Sequence, residues 1–315
     1  MKNLTRAEAA GFLLAHDSYC ILTHRRPDGD TLGSAAALCL GLRQLSKTAH
    51  VLENPETTDR FRWLHEGLTK EAAQEGDTIV CVDVASPGML PKAFAPLAER
   101  CVLRIDHHAS ATSFTDQELV DGGSASCAEL ICDVLMLLGI RMDKDMAEAV
   151  YVGVSTDTGC FRFSNTTAHT FAVAADCAAA GAEIYRLNQA LFETNTLSKL
   201  RMQGWIVEHL RVFGGGKLAI VAIPRAVEDL IGVTDDDMDN ISNFPRTVAG
   251  VCMAATLRQS REGDTKISMR AVPGYDAARV CERFGGGGHK GAAGATVHKS
   301  LEDTAKALEE IMLEQ

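Results

Sequence analysis

No stretch of this chain reaches the about eighteen uninterrupted apolar residues that a membrane span requires. The apolar run nearest the start, Ala9–Ala15, is short, follows Glu8 and runs into His16-Asp17. That argues against a signal peptide and for a first amphipathic helix. No Cys-x-x-Cys pair occurs among the 10 cysteines, so a zinc knuckle or a thioredoxin-like site finds no support. Most of the cysteines, such as Cys39, Cys81, Cys132 and Cys177, sit in apolar runs, where a free thiol behaves as a small hydrophobe. The expected compartment is a reducing cytoplasm. Positive charge is also in short supply. The 31 Lys and Arg against 42 Asp and Glu leave a net charge of −11, which disfavours long nucleic acid, a ligand that needs many phosphate contacts. A small anionic substrate remains compatible if cations are concentrated locally.

What is present is ordinary for a globular protein: 46% hydrophobic, 23% charged and 5% aromatic residues over 315 positions. Disorder, collagen and coiled coil are excluded, and the length suggests two domains. The first two-thirds alternate short apolar runs with helical patterns, the grammar of a parallel α/β sheet. Strands are expected at Tyr19–Thr23, Thr78–Val82 and Cys101–Ile105. Helices are expected at Thr31–Ser46, Ser124–Leu138, Asp145–Val154 and Thr166–Ala180, with Gly181 as a helix stop. Glu183 to about His209 reads as polar helix and contains a connector at 191–209. The expected domains are therefore 1–190 and 210–315. The second is a smaller α/β unit with strands at Lys217–Ile223, Val248–Gln259 and Lys266–Ala271, the last two joined by a turn at Ser260–Asp264. Asp276–Phe284 and Ser300–Leu313 read as helices. Trp63 and Trp205 read as packing residues, and Asp235-Asp-Asp237 after Thr234 as a solvated helix start.

The chemistry lies where the strands end. His24, Asp28 and Asp30 follow the first strand, and Asp83 ends the next buried one, Ile79-Val-Cys-Val-Asp83. Asp106-His107-His108 ends another, and Asp157 follows a helical run. A single aspartate at such a position is ordinarily a turn or a helix cap. Together the groups fall where one crevice forms in an open α/β sheet, beyond the carboxyl ends of the strands. Mixed imidazole and carboxylate donors suit manganese, iron or zinc, with Mn²⁺ favoured by an oxygen-rich shell. Two divalent ions against four aspartates would leave the core near neutral and equip it to activate water against phosphorus.

These residues carry a resemblance. His24-x3-Asp28-x-Asp30, Asp83, Asp106-His107-His108 and Asp157 are similar to the four motifs of the DHH phosphoesterase superfamily. Gly285-Gly-Gly-Gly-His289-Lys290-Gly-Ala-Ala-Gly294 resembles the glycine-rich signature of its DHH-associated C-terminal domain. By size and layout the chain resembles the stand-alone bacterial oligoribonucleases that also act as pAp phosphatases, the nanoRNases. The resemblance implies an active site in a cleft between the two domains. It implies one metal on His24, Asp28 and Asp83, and a second on Asp30, Asp83, His107 and Asp157, with Asp83 bridging. His108 would contact the scissile phosphate, and Asp106 would support it. Arg270, Gly286, Gly287, Gly288, His289 and Lys290 would bind substrate. Consistent with that, the segment from Arg258 to Lys290 is locally basic, and glycines let backbone N–H groups approach a phosphate.

The implied activity is Mn²⁺-dependent hydrolysis of RNA fragments about two to five nucleotides long to 5′-nucleoside monophosphates. Related implied activities are hydrolysis of pAp to AMP and phosphate, and cleavage of linear dinucleotides. No long nucleic acid and no membrane partner are expected, and a homodimer is left open. The alternatives are an inorganic pyrophosphatase or exopolyphosphatase of the same superfamily, and a nucleotide-binding sensor without turnover. The basic Ser-Arg-Lys-Lys-Gln-type segment expected of the pyrophosphatases is missing.

Overall fold

A computed structural model describes residues 2–109, 111–238 and 241–314. The chain divides into two compact units on either side of Thr194.

Unit 1 is built on a seven-stranded parallel sheet. Its strands are β1 (Lys2–Asn3), β2 (Tyr19–Leu22), β3 (Ala49–Leu52), β4 (Thr69–Lys70), β5 (Thr78–Val82), β6 (Cys101–Asp106) and β7 (Gln117–Val120). The spatial order is β1-β7-β6-β5-β2-β3-β4. Its helices are α1 (Arg6–Ala15), α2 (Gly29–Gln44), α3 (Cys127–Leu137), α4 (Lys144–Asp157), α5 (Ala168–Ala179) and α6 (Ile184–Asn188). β2 is buried along its whole length and β5 along all but its first residue. Their continuous apolar runs therefore belong in a parallel sheet covered on both faces. The chain winds from β2 outward through β3 and β4, then returns with β5 on the other side of β2. That reversal opens a crevice at the carboxyl ends of β2 and β5.

Helix packing sets the depth of the crevice. α2 and α4 approach so closely that a Cβ on Gly33 would lie 2.3 Å from the carbonyl oxygen of Ala149. A Cβ on Gly153 would lie 2.4 Å from Ala128 Cβ and 2.9 Å from Asp30 Oδ1. Only glycine fits at either contact, and the fit brings the start of α2 against the end of α4.

Unit 2 holds α7 (Leu197–His209), β8 (Arg211–Phe213), β9 (Leu218–Ile223), α8 (Arg225–Ile231), β10 (Met253–Gln259), β11 (Thr265–Ala271), α9 (Ala277–Glu282), β12 (Gly287–His289), β13 (Ala292–Val297) and α10 (Leu301–Leu313). Its sheet runs β12-β13-β11-β10-β9-β8, with only β9 and β10 parallel. Met202 and Ile206 of α7 pack against Val221 and Ile223 of β9.

Three expectations change. The helix expected from Glu183 to about His209 is interrupted, because α6 runs into a π-helical turn at Gln189–Glu193 and Thr196 then caps a new helix through Lys199 N. The strand expected from Val248 begins only at Met253. Asp237 is not solvated. It is buried, and it accepts from the Thr196 hydroxyl and from Thr234 N. Trp63 is 38% exposed, with Arg186 over its ring, and Trp205 stacks on His209. All ten cysteines are free, and among the described residues no helix is long and apolar enough to cross a membrane.

Candidate metal centre

Each ligand candidate is delivered by the end of a regular element. Asp28 is the N-cap of α2, accepting from Asp30 N and Thr31 N. Asp30 lies in the first turn of that helix and is 1% exposed. Its carboxylate accepts from Cys127 N at 2.7 Å and Ala128 N at 2.9 Å, so it also caps α3 and is held in one orientation. Asp83 directly follows β5 with a φ of 59°. An aspartate tolerates this left-handed conformation better than most residues, at a local conformational cost. The turn aims its carboxylate into the crevice. Asp157 closes α4.

The distances gather these groups around Asp83. His24 Nε2 lies 3.6 Å from Asp28 Oδ1 and 3.4 Å from Asp83 Oδ2. His107 Nε2 lies 3.6 Å from Asp83 Oδ1, 3.7 Å from Asp30 Oδ2 and 3.5 Å from Asp157 Oδ2. The two carboxylate oxygens of Asp83 thus face two different ligand groups. His24, Asp28 and Asp83 can hold one metal ion, and Asp30, His107 and Asp157 can hold another. Asp83 Oδ1 is buried with no hydrogen-bond partner among the described residues. Buried carboxylate oxygens are rarely left so, and a cation satisfies one as well as a donor would. The donor set and this orphaned oxygen fit divalent metal.

The far ring nitrogens are also committed. His24 Nδ1 is 2.8 Å from the carbonyl oxygen of Arg25, and His107 Nδ1 is 3.3 Å from that of Ser124. Such contacts fix the tautomer that turns Nε2 toward a metal. His108 Nδ1 lies 2.8 Å from Asp106 Oδ1, which also accepts from His108 N. Asp106 is fully buried and touches the centre through His108.

The protein's own charges leave the cluster short of positive charge. Burial pushes the Asp30 carboxyl well above the usual carboxylate range, and the neighbouring charges of Asp83 and Asp28 push the same way. Asp157 is raised for the same reasons, with Asp30 the leading charge. Burial acts to lower His108, but the hydrogen bond to Asp106 and the charges around it raise it to about 9. A site that raises both carboxyls and imidazoles is one that attracts cations.

Several supporting residues gave no motif to read. Arg104, 1% exposed in β6, donates to the carbonyls of Val84, Ala85 and Thr112 and pairs with Glu118 at 2.9 Å. It ties together the loops that follow β5 and β6. Asn54 donates to Thr23 Oγ1 and to the carbonyl of His24, and Asn165 to the carbonyls of Ala125 and Asp157. The only sequence signal was an arginine inside an apolar strand.

In unit 2, Arg270 lies on β11, where its Nε donates to Asn243 Oδ1 at 2.6 Å and its Nη1 to the carbonyl of Met269 at 2.9 Å. The glycine run is a strand more than a loop. Gly287, Gly288 and His289 form β12, paired to β13. Gly288 has a φ of 144°, and a Cβ on Gly286 would fall 2.2 Å from the Gly294 carbonyl oxygen. Arg270 pairs with Ala292, and Ala292 with His289. Directly paired residues share a face, so Arg270 and His289 stand in one cross-strand row on one side of the sheet. His289 and Lys290 are exposed.

This fold and site define a class: two-unit α/β proteins with a His/Asp cluster able to hold metal beyond the carboxyl ends of a parallel sheet. The match to the DHH family, N-terminal domain, covers residues 18–154, and the DHHA1 domain covers residues 222–314. The chain belongs to the DHH family. It is 33% identical over 294 residues to the bifunctional oligoribonuclease and PAP phosphatase NrnA of Thermus thermophilus, covering 93% of this chain and 87% of that protein. Among solved structures, an exopolyphosphatase-related protein from Bacteroides fragilis superposes with a TM-score of 0.88 at 22% identity, over 98% of each chain. RecJ of Thermus thermophilus in complex with Mn²⁺ superposes with a TM-score of 0.56 at 16% identity, over 98% of this chain and 54% of RecJ.

Proposed function

We propose that this protein is a Mn²⁺-dependent phosphoesterase that hydrolyses short oligoribonucleotides to 5′-nucleoside monophosphates and pAp to AMP and phosphate. The observation that carries the reading is Asp83, whose two oxygens face two separate His/Asp groups at 3.4 and 3.6 Å. The activity named for the Thermus thermophilus relative supports the choice of substrate. His24, Asp28 and Asp83 would hold one ion, and Asp30, Asp83, His107 and Asp157 the other. When bound, such a pair activates water and neutralises charge on a phosphoryl group. The oxygen-rich shell with imidazole favours Mn²⁺.

The chain's own residues supply orientation. The N-termini of α2 and α3 hold Asp28 and Asp30, and the Asp106 carboxylate holds the His108 ring beside Asp83, ready to donate to the scissile phosphate. Arg270, Gly286, Gly287, Gly288, His289 and Lys290 would take the substrate's other phosphate or terminal nucleotide. The row shared by Arg270 and His289 supports that grouping. Ten free cysteines fit a reducing cytoplasm.

A chromatographic product assay tests the proposal. Its panel is pAp, pApA, RNA of graded length, cyclic dinucleotides, pyrophosphate and polyphosphate, each with Mn²⁺. Release of nucleoside monophosphates from the shortest RNAs and of phosphate from pAp is expected. EDTA should silence the enzyme, and Mn²⁺ should restore it better than Mg²⁺. Turnover of pyrophosphate alone would overturn the substrate assignment, and equal rescue by Mg²⁺ would overturn the preference for manganese.

A further inference from the structure

The amino-terminal ends of the inner strands of unit 1 carry a second cluster that the proposed reaction does not use. Cys20 is the second residue of β2, His50 the second residue of β3, and Asp77 immediately precedes β5. Cys20 pairs in register with both His50 and Ile79. Asp77 lies two residues before Ile79, so alternation turns all three side chains to one face of the sheet. Their ligand atoms lie within 4.8 Å of one another, and His50 Nε2 is 3.5 Å from Asp77 Oδ2. These strands begin here, whereas the centre of His24 and Asp83 lies where they end.

The second observation is the state of His50. The residue is 1% exposed, yet neither ring nitrogen has a hydrogen-bond partner among the described residues. A buried imidazole packed for shape alone would satisfy at least one nitrogen from nearby backbone, as His65 does on the carbonyl of Leu32. His50 instead faces a fully buried thiol and a carboxylate whose side chain is 5% exposed.

A nucleophilic reading of Cys, His and Asp does not fit. Cys20 is fully buried, and that burial pushes its thiol up to about 12, the opposite of an activated cysteine. We propose that Cys20, His50 and Asp77 bind a structural zinc ion that fastens β2, β3 and the start of β5 together. Thiolate, imidazole and carboxylate are the donors zinc takes. Bond lengths of about 2.0–2.3 Å in tetrahedral geometry place donors roughly 3.3–3.6 Å apart, which matches the 3.5 Å between His50 and Asp77. The charges close as well, since one thiolate and one carboxylate neutralise a divalent ion in a buried place. Burial keeps His50 below its ordinary value, in the neutral form that ligates, and binding would release the thiol proton to solvent. Asp77 Oδ2 is steadied by Gln74 N at 2.6 Å. Asp77 also lines a surface pocket with His16, Thr78 and Val102.

The test uses the full chain, stripped with a chelator and titrated with Co²⁺, then with Zn²⁺. A thiolate-to-cobalt charge-transfer band in the near ultraviolet is expected, together with tetrahedral visible bands, and Zn²⁺ should displace it. The His/Asp centre cannot mimic that band, because none of its ligand candidates is a thiol. Cys20→Ser and His50→Ala should abolish it and lower retained zinc by one ion per chain, while turnover persists at temperatures where the protein stays folded. X-ray absorption of the zinc-loaded natural chain needs no variant and should find one sulfur in the shell. A shell of nitrogen and oxygen alone, no thiolate band, or a band that survives Cys20→Ser would overturn the site.

Discussion

In unit 1 the carboxylates at the heart of the centre are taken out of water, with Asp30, Asp83 and Asp106 at 1%, 2% and 0% exposure and Asp28 exposed at its rim, whereas His289 and Lys290 of unit 2 stand open. Buried carboxylates placed against one another oppose folding unless cations and fixed donors offset them. Unit 1 therefore commits each one to a helix N-terminus, a strand end or a neighbouring histidine before any ligand arrives. The exposed side chains of His289 and Lys290 keep their contact with water. Buried carboxylates held in fixed orientations would suit bond breaking, and an exposed histidine in one row with a part-buried arginine would suit recognition. Damage to unit 1 should abolish chemistry, and damage to unit 2 should weaken the selection of substrate.

The strongest attempt to break this contrast is Asp83→Ala. Turnover should vanish for every substrate, and metal content should fall with it. Retention of more than a few per cent of activity at saturating Mn²⁺ would remove Asp83 from the centre.

Arg270→Ala is the matching cut in unit 2. Charge-assisted hydrogen bonds of about 1.5–3 kcal/mol predict a loss of about 10- to 150-fold in kcat/KM for pAp and dinucleotides. Metal content should hold, Lys should rescue only in part, and bis-p-nitrophenyl phosphate should be nearly unaffected. Equal losses on all substrates would erase the division between the units.

Asp106→Asn probes support within unit 1. The Asp106–His108 contact at 2.8 Å predicts a loss of about 10- to 100-fold in kcat with metal retained. Release of metal would instead make Asp106 a ligand.

Two glycine substitutions sharpen the comparison at smaller scale. Gly153→Ala presses on Ala128 and Asp30 and should cost about 1–3 kcal/mol in denaturant titrations. Gly287→Ala meets nothing within 4 Å and should leave stability within about 0.5 kcal/mol. Its kcat/KM for pAp should fall by up to about 10-fold if backbone there approaches phosphate. Unchanged kcat/KM would remove Gly287 from the substrate contacts.

Much was legible from residue order. The apolar run Thr78–Val82 is a strand at those same residues, and the helix after Asp28 and the hairpin around Ser260–Asp264 stand where pattern and turn chemistry put them. β3 escaped because a histidine interrupts its apolar run, and β13 because Ala292-Ala-Gly-Ala-Thr-Val lacks the bulky side chains that mark a strand. Asp237 was misread because a run of acids implies solvent, and its burial depends on Thr196, far away in the chain.

The sequence by itself determined that the first unit has a parallel sheet and that histidines and aspartates cluster at strand ends. Those are consequences of periodicity and local turn chemistry, which act over a few neighbouring residues. Tertiary structure alone decided that Asp83 divides its oxygens between two groups, that Asp30 caps a helix 97 residues onward, and that Cys20, His50 and Asp77 meet. Strand order and the approach of α2 to α4 set those distances, and both arise from packing between segments remote in sequence.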